Sequence, residues 1–322
     1  MSSLPVERLR AIQWHFASHR ILTVANRTGL LRRLAGAPVS TDLLAADLGL
    51  DPLATGKVVR ALSSMGLVRA TGDTYALEPD LVSLFAPGLG DYGPALEHSH
   101  ELYERWGATL EQWVRSGSTP PRERTPEGTR HFAEAMWANA SVFGSEVART
   151  LNLTGVRRAL DLGGGTGRLA VDLCRAAPEL HVTVLDQPDV VAMGPEVVAP
   201  TGVGDRITFT PGDYLADDPG TGFDLVVLSN VLHQERADAA ADLVRRATSA
   251  LVPGGRLAIV DFTIDDHQRE VASGCLFAVN MKSFGDTWTE PVLRGWMRDA
   301  GLTDVTRSDL GPTRWLIVGR RP

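Results

Sequence analysis

The chain has 322 residues, of which 43% are apolar and 22% charged, with a formal net charge of −7. That balance belongs to a globular protein of one large or two ordinary domains, and it excludes a nucleic-acid binder whose affinity comes from phosphate contacts. The two cysteines, Cys174 and Cys275, stand far apart without metal-ligand spacing, which excludes a disulfide framework and fits a reducing cytoplasm.

The first segment, MSSLPVERLR, has no apolar core behind its charges, and no apolar run reaches membrane-spanning length, so a soluble cytoplasmic protein is expected. Over residues 5–35, Leu9, Ile12, Trp14, Phe16, Ile21, Val24, Leu30, Leu31 and Leu34 recur at helical spacing and predict two helices. Ser40-Thr41-Asp42 then supplies an N-cap for LLAADLGL, Asp51-Pro52 opens a further helix, and Leu67–Leu77 reads as a hairpin turning at Gly72-Asp73. Helix, turn, helix and wing suggest a winged helix. The second helix offers only Lys57 and Arg60 as bases, without the basic stripe of a DNA reader, so a dimerisation module is the better reading.

From 88 to 150 the chain reads as helical and aromatic, interrupted by a polar, proline-containing loop over 115–126. Phe132, Met136 and Trp137 either pack between helices or line an aromatic substrate pocket. Beyond Val156 strands and helices alternate. Strands are expected at Arg158–Leu162, His181–Asp186, Ile207–Thr210, Asp224–Ser229 and Gly255–Asp261, with a helix at Ala237–Leu251 before a Pro253-Gly254-Gly255 turn. Two further strands flank Gly311-Pro312. The alternation predicts an α/β fold with a mostly parallel sheet covered on both faces, and a domain boundary near Asn152.

LDLGGGTGRLA, residues 160–170, organises this second half as strand, glycine turn and helix start. Its GTGRLA portion fits a dinucleotide fingerprint, a weak match when it stands alone. A dinucleotide sets a pyrophosphate on the helix N-terminus, where the Asp161 carboxylate would repel it. S-adenosylmethionine carries a sulfonium and an amino group and no phosphate, so Asp161 favours it. In open α/β sheets ligands bind beyond the carboxyl ends of the strands. Here those ends carry Asp161-Leu162-Gly163, Asp186, Gly212-Asp213-Tyr214, Ser229-Asn230 followed by His233, and Asp261. Any one such aspartate could be a cap or turn former. The whole succession of polar ends is hard to assign that way.

DLGGGTG, LDQP, GDYL, VLSNVLHQ and LVPGGRLAIVDF resemble the successive motifs of the S-adenosylmethionine-dependent O-methyltransferases. The similarity extends over the whole chain, toward the two-domain branch of plant caffeate and hydroxyindole enzymes and their bacterial polyketide relatives. The resemblance implies a Rossmann-like class I methyltransferase sheet, mostly parallel with an antiparallel C-terminal strand, over 151–322. It implies a mainly helical winged-helix dimerisation domain over 1–150, and therefore a homodimer. It places the cofactor on Asp161, Gly163, Gly165, Asp186, Gln187, Gly212, Asp213, Tyr214, Ser229 and Asn230. His233 falls at the catalytic-base position with Asp261 orienting it, and Phe132, Met136, Trp137, Asn280 and Met281 fall in the acceptor pocket. No metal is implied, and no nucleic acid or membrane.

Three departures stand out. Gln234-Glu235 follows His233 where the family has Asp-Trp, Ser229 replaces a lysine, and Thr287, beside Asp286, stands where a second flanking acid is expected. Methyl transfer to an aromatic hydroxyl, with His233 taking the proton and S-adenosylhomocysteine as product, is the function implied. C- or N-methylation, a cofactor-binding relative that hydroxylates, decarboxylates or cyclises, and a winged-helix regulator are the alternatives, since a fold does not fix a function.

Overall fold

Capping residues set where the first helices begin. The computed structural model describes residues 5–86, 90–118, 120, 125–264, 272–281, 285–311 and 314–322. The initial helical repeat forms α1 (Pro5–Arg27), and α2 (Leu30–Leu34) starts after a left-handed Gly29. The Ser40 hydroxyl accepts from Leu43 N at the head of α3 (Thr41–Leu48), and the Asp51 carboxylate accepts from Ala54 N at the head of α4 (Pro52–Ser64). Each such cap typically contributes ~1 kcal/mol. The hairpin of β1 (Val68–Thr71) and β2 (Thr74–Leu77) turns at a left-handed Gly72. Leu31, Leu34, Leu44, Val59, Leu62 and Leu77 close a core beneath these elements. The elements of the expected helix–turn–helix and hairpin are therefore present in the expected order.

The chain divides into two compact units, Met1–Ala108 and Thr109–Pro322, and the division falls inside α5 (Gly93–Ser116). The helices α6 (Pro126–Ser141) and α7 (Gly144–Thr150) belong to the second unit, so the boundary expected near Asn152 lies within it. The physical reason is a buried polar joint. The Arg168 guanidinium lies over the Trp137 ring of α6, 5.4 Å from its centroid, and pairs with Asp172, which also accepts from Ser145 of α7. Part of the expected polar loop (residues 119 and 121–124) and Pro312 lie outside the described residues.

The remaining elements of the second unit alternate as β3 (Arg158–Leu162), α8 (Arg168–Ala176), β4 (His181–Asp186), α9 (Pro188–Val191), α10 (Gly194–Val198), β5 (Ile207–Pro211), β6 (Phe223–Ser229), α11 (Ala237–Ser249) and β7 (Leu251–Ile264). They end in α12 (Ala272–Asn280), β8 (Trp288–Thr289), α13 (Glu290–Asp299), β9 (Thr303–Asp309) and β10 (Arg314–Arg320). The sheet order is β5-β4-β3-β6-β7-β10-β9, with β8 extending β7. The strands from β5 to β7 run parallel, and β10 returns antiparallel between β7 and β9. Near-continuous apolar runs such as DLVVL in β6 suit strands buried on both faces.

One expectation changes here. Pro253-Gly254-Gly255 does not end in a turn before the strand. It lies within β7 as a register shift, with Phe223 opposite Leu251 but Leu225 opposite Arg256, and Gly254 takes φ +81°. The sheet order reverses direction at β3, with β4 on one side and β6 on the other. That switch point is where an open α/β sheet opens a crevice for ligand. Among the described residues, no helix is long and apolar enough to cross a membrane.

Candidate active site

The glycine turn after β3 owes its shape to close approach. Gly163 and Gly165 take φ of +73° and +60°, a region that L side chains rarely adopt. A Cβ on Gly163 would fall 2.3 Å from Val231 Cγ1, and one on Gly164 would fall 2.6 Å from the Asp161 carboxylate. Asp161 is fully buried, and neither carboxylate oxygen has a hydrogen-bond partner among the described residues. Burial, helped by the nearby charge of Asp186, pushes its pKa up to about 7.

Asp186 stands across the turn at the end of β4. One carboxylate oxygen accepts from Gly165 N at 2.8 Å and the other from Gln187 N at 2.7 Å, which ties the turn to the neighbouring strand. Gly212 N donates to the Asp186 carbonyl at 2.9 Å. Next to it, the Asp213 carboxylate accepts from Leu215 N, and Tyr214 donates its hydroxyl to Glu235 at 2.8 Å. Burial first, then the Glu235 contact, raises the Tyr214 pKa, so the phenol keeps its proton. The structure thus gathers the candidates from Asp161 to Tyr214, from three strand ends, around one turn, while Ser229 and Asn230 lie at the end of β6.

The fourth strand end leads to the histidine. Asn230 leaves β6 in a left-handed conformation, φ +56°, and its N donates to Val260 O at 2.8 Å. Its amide nitrogen donates to Ser229 Oγ at 3.3 Å, and its carbonyl accepts from Gln234 Nε2 at 2.9 Å. The chain then makes a short 3-10 turn, Leu232–Gln234, and buries His233. The imidazole Nδ1 lies 2.5 Å from Asp261 Oδ1, and the His233 amide donates to Asp261 Oδ2 at 3.2 Å. Phe262 N adds a third bond to the Asp261 carboxylate at 2.7 Å. With a carboxylate at Nδ1, the proton belongs on Nδ1 and Nε2 carries the lone pair.

Packing holds this turn from the other side. Gly285 fits so closely that a Cβ there would lie 2.1 Å from the His233 carbonyl oxygen. Trp288 Nε1 donates to Leu232 O at 2.9 Å. Thr287, where a second acid is expected, is buried and its hydroxyl donates to Gly274 O at 3.4 Å; Asp286 accepts from Thr287 N at 2.8 Å.

The acceptor candidates separate into two groups. On α6, Phe132 is exposed, Met136 half-buried, and Trp137 buried beneath Arg168. That helix packs on α8 and α9, beside the glycine turn and the segment after Asp186. On α12, Asn280 and Met281 are half-buried at its end, while residues 282–284, which follow, lie outside the described residues. The residue of α12 that touches the histidine is Phe277, edge-on at 4.9 Å between ring centroids. It stacks on Phe262 at 3.8 Å, and Phe262 in turn meets His233 at 5.9 Å. Neither phenylalanine is among the candidates drawn from the sequence. A phenylalanine directly after the strand-end Asp261 was the available signal for one of them.

Residues 115–301 match the O-methyltransferase domain family. The chain is also 30% identical over 323 residues to the tetracenomycin polyketide synthesis 8-O-methyl transferase TcmO of Streptomyces glaucescens, covering 95% of this chain and 94% of that one. The chain belongs to the S-adenosylmethionine-dependent O-methyltransferase family. A second relative, the 3-hydroxy-5-methyl-1-naphthoate 3-O-methyltransferase of Streptomyces sahachiroi, is 29% identical over 300 residues, with 88% and 86% of the two chains covered. In fold, the methyltransferase matches human N-acetylserotonin methyltransferase, solved in complex with SAM, at a TM-score of 0.87 over 99% of both chains and 23% identity.

The methyltransferase's own groups fit the family's cofactor. An unpartnered buried carboxylate at Asp161 suits a ligand with cationic groups and no phosphate, and the left-handed Gly165 leaves its side of the turn open, with nothing within 4 Å of where a Cβ would stand. Among the described residues, His, Cys, Asp and Glu form no cluster able to hold a metal ion.

Proposed function

We propose that the enzyme methylates a hydroxyl group of a small aromatic secondary metabolite, with His233 as general base. The observation that carries this reading is the His233–Asp261 pair, buried beside the aromatic edge of Phe277. S-adenosylmethionine, when bound, supplies an electrophilic methyl group on sulfur. A phenol has a pKa near ~10 and an unperturbed imidazole one near ~6.5, so the hydroxyl needs a base at neutral pH. In this reading His233 Nε2 takes the hydroxyl proton while the oxygen bonds to the methyl carbon, whose bond to sulfur would break to leave S-adenosylhomocysteine. Asp261 keeps the proton on Nδ1 and stabilises the imidazolium that results. Glycines 163 and 165 with Asp186 hold the nucleoside end, Asp161 faces the cationic end, and Phe132, Met136, Asn280 and Met281 line the acceptor.

The names of two relatives support an aromatic acceptor, since a polyketide tailoring enzyme and a naphthoate 3-O-methyltransferase are among the similar proteins. The test is product analysis by mass spectrometry with a panel of phenols, alongside titration of S-adenosylhomocysteine. General-base help is worth ~10²–10⁴-fold, so His233→Ala is expected to lose that much in kcat while keeping its affinity for S-adenosylhomocysteine. Undiminished turnover in that variant would sink the base assignment.

The first unit supplies the proposed homodimer contact. Leu9, Ile12, Trp14 and Phe16 of α1 are all more than half exposed, an apolar strip of the kind that marks an interface. A second copy of this chain is the proposed occupant. Light scattering on the wild type and on Trp14→Lys decides it, since a monomeric wild type rules the dimer out.

A further inference from the structure

We propose that Arg314, from the returning strand β10, is a positioning residue for the His233–Asp261 pair. This inference rests on the reading of His233 as the base.

Arg314 lies opposite Phe262 in the β7–β10 ladder. Its guanidinium sits over the Phe262 ring at 3.9 Å and over the Phe143 ring at 4.4 Å. The same group donates from Nη1 to Asn230 Oδ1. One planar cation therefore joins both branches of chain that hold the pair. Asn230 is the left-handed residue from which the His233 turn departs, and Phe262 follows Asp261 and bonds its carboxylate. Phe262 also carries Phe277, which meets the imidazole edge-on.

The geometry requires arginine. A guanidinium stacks flat on an aromatic face while its N–H fork donates in its own plane, and a lysine ammonium cannot do both. Arg314 also fixes which way the Asn230 side chain points at this left-handed position, φ +56°. Loss of Arg314 removes the partner of Asn230 Oδ1 and uncovers one face of Phe262 together, leaving the Asn230 side chain its long bond to Ser229 Oγ. The imidazole and the carboxylate then lose their common reference, although neither is altered chemically.

The experiment compares wild type, Arg314→Met and Arg314→Lys. Three quantities are read: kcat at saturating substrates, the dissociation constant of S-adenosylhomocysteine, and the downfield proton resonance of the His233 Nδ1–H, assigned with His233→Ala. A displacement of about 1 Å at a reacting group can cost ~10²-fold, so Arg314→Met is expected to lower kcat about ten- to a hundredfold. Its S-adenosylhomocysteine affinity, in which Asn230 shares, is expected to fall by less than kcat does, and the resonance broadens or moves upfield as the short bond to Asp261 loosens. Arg314→Lys is expected between the two and serves alone where Arg314→Met does not fold. A wild-type resonance in the variants overturns the proposal, whether kcat is unchanged or falls in step with S-adenosylhomocysteine affinity. If His233→Ala turns over at the wild-type rate, the base reading fails by itself, and the resonance still reports whether Arg314 sets the pair.

Discussion

Asp161 and Asp261 occupy equivalent places, each buried at the carboxyl end of a core strand, yet their surroundings are opposite. Asp261 accepts from an imidazole nitrogen and two backbone amides. Asp161 has no partner for either oxygen among the described residues. A buried carboxylate without hydrogen bonds costs several kcal/mol and responds by taking up a proton. The Asp261 end is assembled before any ligand arrives. At the Asp161 end the carboxylate is left without a partner from the described residues, and in the reading proposed above the cationic end of the cofactor supplies one.

Two glycines offer the hardest test of that division. A methyl group on Gly285 would press on the His233 carbonyl at 2.1 Å, and one on Gly163 would press on Val231 at 2.3 Å in a backbone region hostile to L residues. Gly285→Ala is expected to cut kcat by about 10²-fold with S-adenosylhomocysteine affinity retained. Gly163→Ala is expected to lose the affinity itself. Steady-state kinetics beside calorimetric titration separates them, and a common loss of affinity in both would erase the distinction between the two ends.

Asp161 supplies a smaller effect with a definite sign. Its pKa is raised from 3.8 to about 7, so the folded protein binds this proton more tightly than the unfolded chain. The stability it contributes is complete below the unfolded value and is lost as pH rises through about 7. Asp161→Asn keeps the shape and removes the charge. It is expected to raise the melting temperature of the ligand-free protein at pH 8, from relief on the order of a few kcal/mol, and to leave it nearly unchanged at pH 4. The same change is expected to weaken S-adenosylmethionine about tenfold at pH 8, as a lost charge contact of ~1.4 kcal/mol would. A melting temperature equally affected at both pH values would mean that Asp161 is charged and compensated after all.

Much of the second unit was legible because its information is local. Apolar runs ending in aspartate placed β3 and β4 at their observed bounds, and the glycine turn followed from its own residues. The Ser40 and Asp51 caps were read in the same way. What escaped depends on residues distant in sequence. Arg314 reaches Asn230 across 84 positions, and Phe277 comes to His233 from another helix. The shift at Pro253–Gly255 escaped for a different reason, since a bulge and a turn draw on the same residues and only the partner strand tells them apart. The compact units divide at 108/109 rather than near Asn152, and the contact of Trp137 with Arg168 inside the second unit is made by side chains that no periodicity reveals.

Thr287 gives the smallest expected effect, and it bears directly on how complete the Asp261 end is. The family resemblance leads one to expect a second acid at that position, sharing the task of orienting the histidine. In this chain the Thr287 hydroxyl is turned to the Gly274 carbonyl at a long 3.4 Å, while Asp261 already holds both the imidazole and the backbone of His233. A neutral hydroxyl bond of that length adds well under ~1 kcal/mol. Thr287→Val, which keeps the volume and drops the hydroxyl, is therefore expected to change kcat less than about threefold. Thr287→Glu adds a charge at a position that is only 3% exposed, and it is expected to lower the melting temperature rather than raise kcat. A gain in kcat from Thr287→Glu would show that one carboxylate is too few, and that the pair at this end is less finished than its hydrogen bonds suggest.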